Sequence, residues 1–120
     1  MTSPAVSLTQ DLIRFPTISP PGDEQAVTVH LARLLTQHGF ACAMVDLAPG
    51  RPNLVATIGG SADKPPLAFT GHTDVVPLGA RDWSVPPFDG LIRDGRVWGR
   101  GASDMKAGVA AFVTAAIAMA

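Results

Sequence analysis

The spacing of apolar and polar positions predicts two helices in the first third of the chain. Apolar residues at helical spacing indicate a short amphipathic helix over residues 7–15, with Ser7 as the start of a capping box. A second helix is expected over residues 23–38, where Asp23 can act as N-cap and Gly39 supplies a stop signal. Both helices present one apolar face, so each should pack against a core.

Three short apolar runs then predict strands. Residues 40–47 and 53–58 are mostly apolar and are separated by a turn rich in proline and glycine. Residues 67–70 are apolar up to Thr70, a pattern typical of a strand that is covered on both faces. We therefore expect a sheet built from at least these three segments.

The last third of the chain predicts a loop, a hairpin and a buried helix. Residues 75–90 are rich in proline, glycine and tryptophan, and long loops of this kind are often functional. The pair Asp94-Gly95 indicates a tight turn between strands. Residues 107–120 are apolar at helical spacing and should be buried on most sides. The order of all these elements fits an α/β layer fold.

Composition narrows the class of protein. The chain has 120 residues, of which 47% are hydrophobic and 16% charged, with a net charge of −1. Such a chain can bury a core and lacks the basic stripe that nucleic-acid binding requires, so a small-molecule partner is expected. The single cysteine, Cys42, excludes an internal disulfide and a four-cysteine zinc site. We interpret it as a small buried hydrophobic residue.

Targeting signals are not evident in the sequence. No basic segment followed by an apolar stretch opens the chain, and residues 107–120 are shorter than the roughly 20 residues of a membrane span. We expect a soluble cytoplasmic protein without membrane association. Because the last helix has no cap, glycine or polar tail, we also expect residues 1–120 to be a truncated domain.

The first candidate for chemistry is the pair His72 and Asp74, which follows the third predicted strand. Ligands collect at the carboxyl ends of strands in α/β sheets. In an extended chain, residues two apart project to the same side, so Asp74 can reach the second ring nitrogen of His72. A metal-ligating histidine usually has such a partner. The alternative is a histidine that is merely hydrogen-bonded at a strand end.

The second candidate is Asp104, which lies between a glycine-rich turn and the final apolar helix. As an N-cap it would only begin that helix. As a bridging carboxylate it could bind two metal ions about 3.5–4 Å apart. The same segment contains neither a dinucleotide-binding GxGxxG nor a P-loop, but Ser103 and Lys106 match S-x-x-K, the nucleophile motif of penicillin-binding enzymes.

Several spaced motifs, taken together, resemble one known family. They are His72-Thr73-Asp74-Val75-Val76-Pro77, Trp83, Pro87-Phe88, Ile92-Arg93-Asp94-Gly95, Trp98-Gly99-Arg100-Gly101 and Asp104-Met105-Lys106-Ala107-Gly108. This set resembles the aminoacylase/carboxypeptidase family of dizinc metallohydrolases, and within it the branch of acetylornithine deacetylase and succinyl-diaminopimelate desuccinylase. The resemblance is strongest over residues 71–108.

The resemblance implies a fold and a set of site residues. The fold would be the N-terminal part of a three-layer α/β zinc-hydrolase catalytic domain with a mixed sheet. His72 would ligate the first zinc, Asp74 would orient it as a catalytic residue, and Asp104 would bridge two zinc ions. The peptide bond after Asp104 is typically cis in this family. The implied cofactor is two Zn²⁺ per active site in the full-length protein, with Co²⁺ as an alternative.

The resemblance also implies what the chain lacks. A general-base glutamate, the other ligands and a smaller dimerisation domain would all lie beyond Ala120. We expect the full-length protein to be a homodimer that deacylates an N-acyl amino acid, of the acetylornithine or succinyl-diaminopimelate type, or cleaves a small peptide. Residues 1–120 alone should be inactive. Two alternatives stay open, namely a serine acyl hydrolase using Ser103 and Lys106, and a non-catalytic binding domain.

Overall fold

The computed structural model describes residues 2–120 and contains three α-helices and two β-hairpins. In chain order the elements are α1 Pro4–Ile13, α2 Gln25–Gln37, β1 Ala41–Ala48, β2 Arg51–Thr57, β3 Leu91–Arg93, β4 Arg96–Trp98 and α3 Ala107–Met119. An irregular helical turn, Ala102–Lys106, leads into α3.

Helix α1 begins earlier than the sequence predicted. Ser3, not Ser7, is the N-cap, and its side chain accepts a hydrogen bond from the Val6 amide at 3.3 Å. Pro4 follows at the first helical position, where its missing amide hydrogen is not needed. The Ser3-Pro4 pair thus starts the helix, and the prediction of a capping box at Ser7 was wrong.

Helix α2 ends as predicted but begins differently. His38 forms its C-cap and Gly39 follows with φ of +88°, a conformation that favours glycine. At the other end Asp23 does not cap the helix. Glu24 occupies the N-cap position, and its side chain forms no capping hydrogen bond. It pairs with Arg51 instead, so a tertiary contact overrides the local capping preference.

Strands β1 and β2 form an antiparallel hairpin that packs on α2 through one face. Cys42 lies opposite Ala56 and Met44 opposite Leu54. Cys42, Leu54 and Ala56 contact the core as half-buried residues, so Cys42 is less buried than expected. The other face is uncovered, and Leu47 on it is 78% exposed.

The third predicted strand, residues 67–70, is not a strand in the structure. A strand needs a neighbour with which to share backbone hydrogen bonds, and each of the two sheets consists only of its own hairpin. Leu67 is 69% exposed, contrary to the expected burial, while Phe69 stacks on Phe112 with ring centroids 5.5 Å apart. The α/β character is confirmed. The three-layer mixed sheet remains a prediction.

The second hairpin agrees with the sequence pattern. Strands β3 and β4 are antiparallel, and Asp94 and Gly95 form the turn between them with φ of 54° and 69°. Positive φ at both central residues is the type I′ geometry that matches the twist of a hairpin. Arg93 and Trp98 then lie on one side, with the guanidinium 5.2 Å from the ring centroid.

The core lies where the three helices meet. Leu12 of α1, Val27 and Leu31 of α2, and Val109 and Ala110 of α3 are buried there. Helix α3 contributes one buried face only, so the expectation of burial on most sides was wrong for the described part of the chain. The opposite side of α3 has no packing partner among residues 2–120 and is exposed.

One stretch, residues 102–119, is long and apolar enough to cross a membrane by length and composition alone. This is weak evidence, because core helices pass the same test. The stretch also contains Asp104 and Lys106, and Asp104 and Met105 have non-helical backbone angles. The regular helix α3 has 13 residues, which span about 20 Å, whereas a bilayer core is about 30 Å thick.

Candidate metal centre

The segment that carries His72 and Asp74 is held by residues near the end of α1. The Ser19 amide donates to the Val75 carbonyl at 2.8 Å, and the Val75 amide donates to the Thr17 carbonyl at 2.9 Å. The Thr17 hydroxyl, which is buried, donates to the Thr73 carbonyl. These bonds form a parallel bridge that fixes the backbone on both sides of Asp74.

His72 lies between two carboxylates. Its Nδ1 is 2.9 Å from Asp74 Oδ1 and 3.2 Å from the Asp74 carbonyl oxygen. Its Nε2 is 3.1 Å from Asp104 Oδ1. The structure therefore brings together all three residues that the sequence singled out, with one carboxylate at each ring nitrogen.

Asp104 reaches His72 because of the irregular turn before α3. Gly101 has φ of +84°, and a Cβ there would lie 2.5 Å from Val75 Cγ1, so the turn sits directly on the segment that carries the histidine. Asp104 makes no capping hydrogen bond to α3, which excludes the N-cap interpretation. The Asp104-Met105 peptide bond is cis, as the resemblance implied.

An open cleft of about 440 Å³ lies in front of these residues. His72, Asp74 and Asp104 line it together with Trp83, Trp98 and Arg100. Arg100 stacks over the Trp83 ring at 5.0 Å and donates to the Pro77 carbonyl at 3.2 Å, which ties the 75–90 loop to the cleft. The cleft has room for a small ligand beside the histidine.

The donors present fit a zinc site in part. Imidazole nitrogen and carboxylate oxygen are common zinc ligands, and two donors on one tetrahedral ion lie about 3.3 Å apart. The 3.1 Å between His72 Nε2 and Asp104 Oδ1 is close to that spacing. Within residues 2–120, however, no group of three or more ligating side chains could hold a metal ion. These two ligands are fewer than the three protein ligands of a typical catalytic zinc.

The alternative pair, Ser103 and Lys106, is not arranged for catalysis. Lys106 is fully buried and its Nζ donates to the Phe15 carbonyl at 2.7 Å, whereas Ser103 is exposed. No hydrogen bond joins the two among the side-chain bonds of the described residues. Burial lowers the pKa of Lys106 to about 8. The S-x-x-K spacing therefore does not produce a nucleophile paired with its base.

The comparison with known families agrees with this geometry. Residues 68–120, which include His72, Asp74, Asp104 and their surroundings, match peptidase family M20/M25/M40. Similar proteins extend the likeness over almost the whole chain. A succinyl-diaminopimelate desuccinylase of Cereibacter sphaeroides is 51% identical over 113 residues, covering 93% of this chain and 29% of that protein.

Residues 68–120 thus match the M20/M25/M40 family, and the similarity to a desuccinylase covers 93% of the chain. Two more relatives extend this similarity. Succinyl-diaminopimelate desuccinylase 2 of a Ruegeria species is 49% identical over 113 residues, covering 93% of the chain and 28% of the relative. The desuccinylase of Delftia acidovorans is 46% identical over 118 residues, covering 94% of the chain and 30% of the relative. The chain thus spans under a third of the length of the curated relatives it matches.

Two further residues approach the centre that the sequence analysis did not identify. Arg51, at the start of β2, lies with Nη2 3.8 Å from Asp74 Oδ2. Glu24 in turn holds Arg51, with Oε1 2.7 Å from the same nitrogen. Neither residue belongs to a motif, and 27 positions separate them, so no local pattern signals the contact.

Proposed function

We propose that this chain supplies part of the active site of a metal-dependent amidohydrolase. The observation that carries the proposal is the placement of His72, with Asp74 at Nδ1 and Asp104 at Nε2. His72 and Asp104 are the proposed metal ligands, with Zn²⁺ as the favoured ion and Co²⁺ as an alternative. Asp104 is the proposed bridge between two ions.

Each residue has a distinct part in the proposed reaction. Asp74 accepts the Nδ1 hydrogen of His72, which leaves the Nε2 lone pair facing the metal. The bound ions supply Lewis-acid chemistry that polarises an amide carbonyl and activates water. Trp83 and Trp98 line the same cleft and offer apolar surface to a bound substrate.

The substrate class follows from the relatives. Their names describe removal of a succinyl group from succinyl-diaminopimelate, so we propose an N-acyl amino acid as the substrate. A small peptide is the second candidate. The general base and the remaining ligands would come from outside residues 1–120. A homodimeric, cytoplasmic full-length protein is part of the same proposal, and the chain alone should be inactive.

Metal binding by the 120-residue chain is the first test. We expect weak zinc binding, measured by competition with a chromogenic chelator, that His72→Ala and Asp104→Ala each reduce at least tenfold. His38→Ala and Asp63→Ala remove the same residue types away from the cleft and should leave the affinity unchanged. Equal affinities for all five proteins would show that the bound metal is not at this centre.

A chimera tests the reaction itself. This chain would replace the matching segment of the Cereibacter sphaeroides relative, and release of succinate from succinyl-diaminopimelate would be measured. We expect activity that Asp104→Ala abolishes and Ser103→Ala leaves within about threefold. Loss of activity through Ser103→Ala, with metal content unaffected by Asp104→Ala, would favour the serine hydrolase. A folded chimera without metal or activity would favour the non-catalytic binding domain.

A further inference from the structure

Arg51 is held in a fixed position next to the candidate metal centre. Its Nη2 lies 2.7 Å from Glu24 Oε1 and its Nε lies 3.1 Å from Glu24 Oε2. The carboxylate thus accepts hydrogen bonds from both donors on one edge of the guanidinium. Glu24 is buried, with 7% of its surface exposed. Charge-assisted pairs of this two-point kind have a defined geometry as well as a favourable energy.

The backbone at Gly22 also lies against the guanidinium of Arg51. A Cβ at Gly22 would overlap Arg51 Nε and Cζ, so the loop lies flat against the side chain. Gly22 also has φ of +86°, which side-chain-bearing residues rarely adopt. The Glu24 amide donates to the Gly50 carbonyl at 3.1 Å, which brings the loop and the start of β2 together. Arg51 is therefore held by Glu24 and by the loop at Gly22, while 32% of its side chain stays exposed.

Arg51 also lies near Asp74, through the same Nη2 that pairs with Glu24. Arg51 Nη2 is 3.8 Å from Asp74 Oδ2, while Asp74 Oδ1 is 2.9 Å from His72 Nδ1. The two oxygens of one carboxylate are thus divided between the arginine and the histidine. We propose that Arg51, clamped by Glu24, is a positioning residue that holds the Asp74 carboxylate in the orientation that fixes the ring of His72.

The charges fit this role. Hydrogen bonding to Glu24 and its negative charge raise the pKa of Arg51 above its ordinary value, and Asp74 contributes in the same direction. Glu24 also balances the arginine charge, so Arg51 can orient Asp74 while the surroundings of His72 keep the net negative charge that a cation favours. A lysine has a single ammonium group and lacks the paired, coplanar N–H donors of a guanidinium, so it should replace Arg51 only in part.

A purely structural pair is the competing explanation, because the Glu24–Arg51 contact also joins α2 to β2. The two roles differ in what they change at His72. Loss of a structural pair lowers stability and leaves the imidazole as it was. Loss of a positioning residue changes the hydrogen bond at Nδ1 even in a folded chain.

The test uses NMR on the metal-free 120-residue chain with ¹⁵N-labelled histidine. We expect the neutral ring of His72 to carry its hydrogen on Nδ1, and Arg51→Gln to shift the population towards the Nε2–H form. Gly22→Ala should cause the same shift by displacing the guanidinium, and Arg51→Lys should give an intermediate one. Arg14→Gln, which removes the exposed pair of Arg14 with Asp11, is the matched control and should cause no shift.

A second measurement connects this inference with the proposed metal function. Zinc affinity should fall about tenfold in Arg51→Gln and less in Arg51→Lys, because outer-shell partners of a ligating histidine contribute about that much. If the parent chain binds no zinc, the proposed function fails, yet the histidine spectra still test Arg51. Unchanged His72 spectra in folded Arg51→Gln and Arg51→Lys variants would overturn the positioning role.

Discussion

Lys106 brings a charge into the interior directly behind the candidate metal centre. Its side chain is fully buried, and its Nζ donates a hydrogen bond to the Phe15 carbonyl. That bond connects the turn carrying Asp104 to the segment after α1. Burial of a charged amine is unfavourable, which is why the pKa of Lys106 falls to about 8.

Folding stability should therefore rise in mild alkali. Between pH 8 and 10.5 the unfolded chain binds more protons at Lys106 than the folded chain does, so the free energy of unfolding increases with pH. The gain is about 3 kcal/mol, complete above the unfolded-state pKa. Urea unfolding of the metal-free chain with chelator present, at several pH values, measures it.

The matched comparison is Lys106→Met, which removes the titrating group and keeps an unbranched side chain. The variant keeps all other titratable groups, including Cys42 and the N-terminal amine. The difference in unfolding free energy between the two proteins therefore reports on Lys106 alone. That difference should grow in favour of the parent from pH 8 upwards. A pH-independent difference would mean that Lys106 keeps its ordinary pKa in the folded chain.

The sequence predicts some residues of the candidate metal centre and misses others. His72, Asp74 and Asp104 are identifiable because each stands in a short motif with typical spacing. Glu24 and Arg51 are not, since an acid before a helix and a basic residue at a strand start are common everywhere. Their relation depends on how the loop before α2 folds over β2, which no short window of sequence contains.

Among the elements, the turn between β4 and α3 is the one on which the centre depends most. It has to pass Asp104 over the segment that carries His72, and side chains would obstruct the path. A Cβ at Gly99 would lie 2.6 Å from Ile13 Cγ2, and one at Gly101 would lie 2.5 Å from Val75 Cγ1. The close approach of neighbouring side chains is the reason for both glycines, and the positive φ of Gly101 is a second reason there.

Gly101→Ala should accordingly destabilise the chain by about 2–4 kcal/mol, through the strain of a positive φ combined with overpacking against Val75. Gly95→Ala is a matched control, because Gly95 also has positive φ, +69°, but open space around its Cα. It should cost only about 1 kcal/mol. Chemical denaturation of both variants measures the difference, and equal losses would show that the contact with Val75 does not matter.

Elements governed by local chemistry are the ones that the sequence predicts well. The β3–β4 hairpin follows from Asp94-Gly95, and the end of α2 follows from Gly39. The predictions that were wrong concern elements whose structure depends on a contact distant in sequence. Residues 67–70 have strand-like composition, but a strand exists only beside another strand. Similarly, the preference of Asp23 for the cap of α2 gives way to the pairing of Glu24 with Arg51.

The molecule as a whole leaves much apolar surface uncovered. The outer face of the β1–β2 hairpin exposes 57% of Val45, 78% of Leu47 and 53% of Val55. These residues alternate with the positions that face α2, so they share the uncovered face and form an apolar strip there. Exposed apolar patches on sheets promote association of chains.

The 120-residue chain should therefore self-associate in a concentration-dependent manner. Replacing Val45, Leu47 and Val55 together by threonine keeps the β propensity and removes the apolar strip, so it should weaken association at least tenfold. Sedimentation velocity over a hundredfold concentration range measures the effect. Asn53→Thr, on the same face, is the control. An unchanged association constant in the triple variant would place the contact on another surface.

The bridge between Ile18 and Val75 has a consequence for the order of folding. It joins segments more than fifty residues apart, so its formation must overcome the entropy of closing a long loop, whereas each hairpin closes locally and fast. The centre around His72 should thus assemble after the two hairpins have formed. In hydrogen exchange, the Val75 amide should report that last step, because its bond to Thr17 opens only when the N-terminal segment detaches.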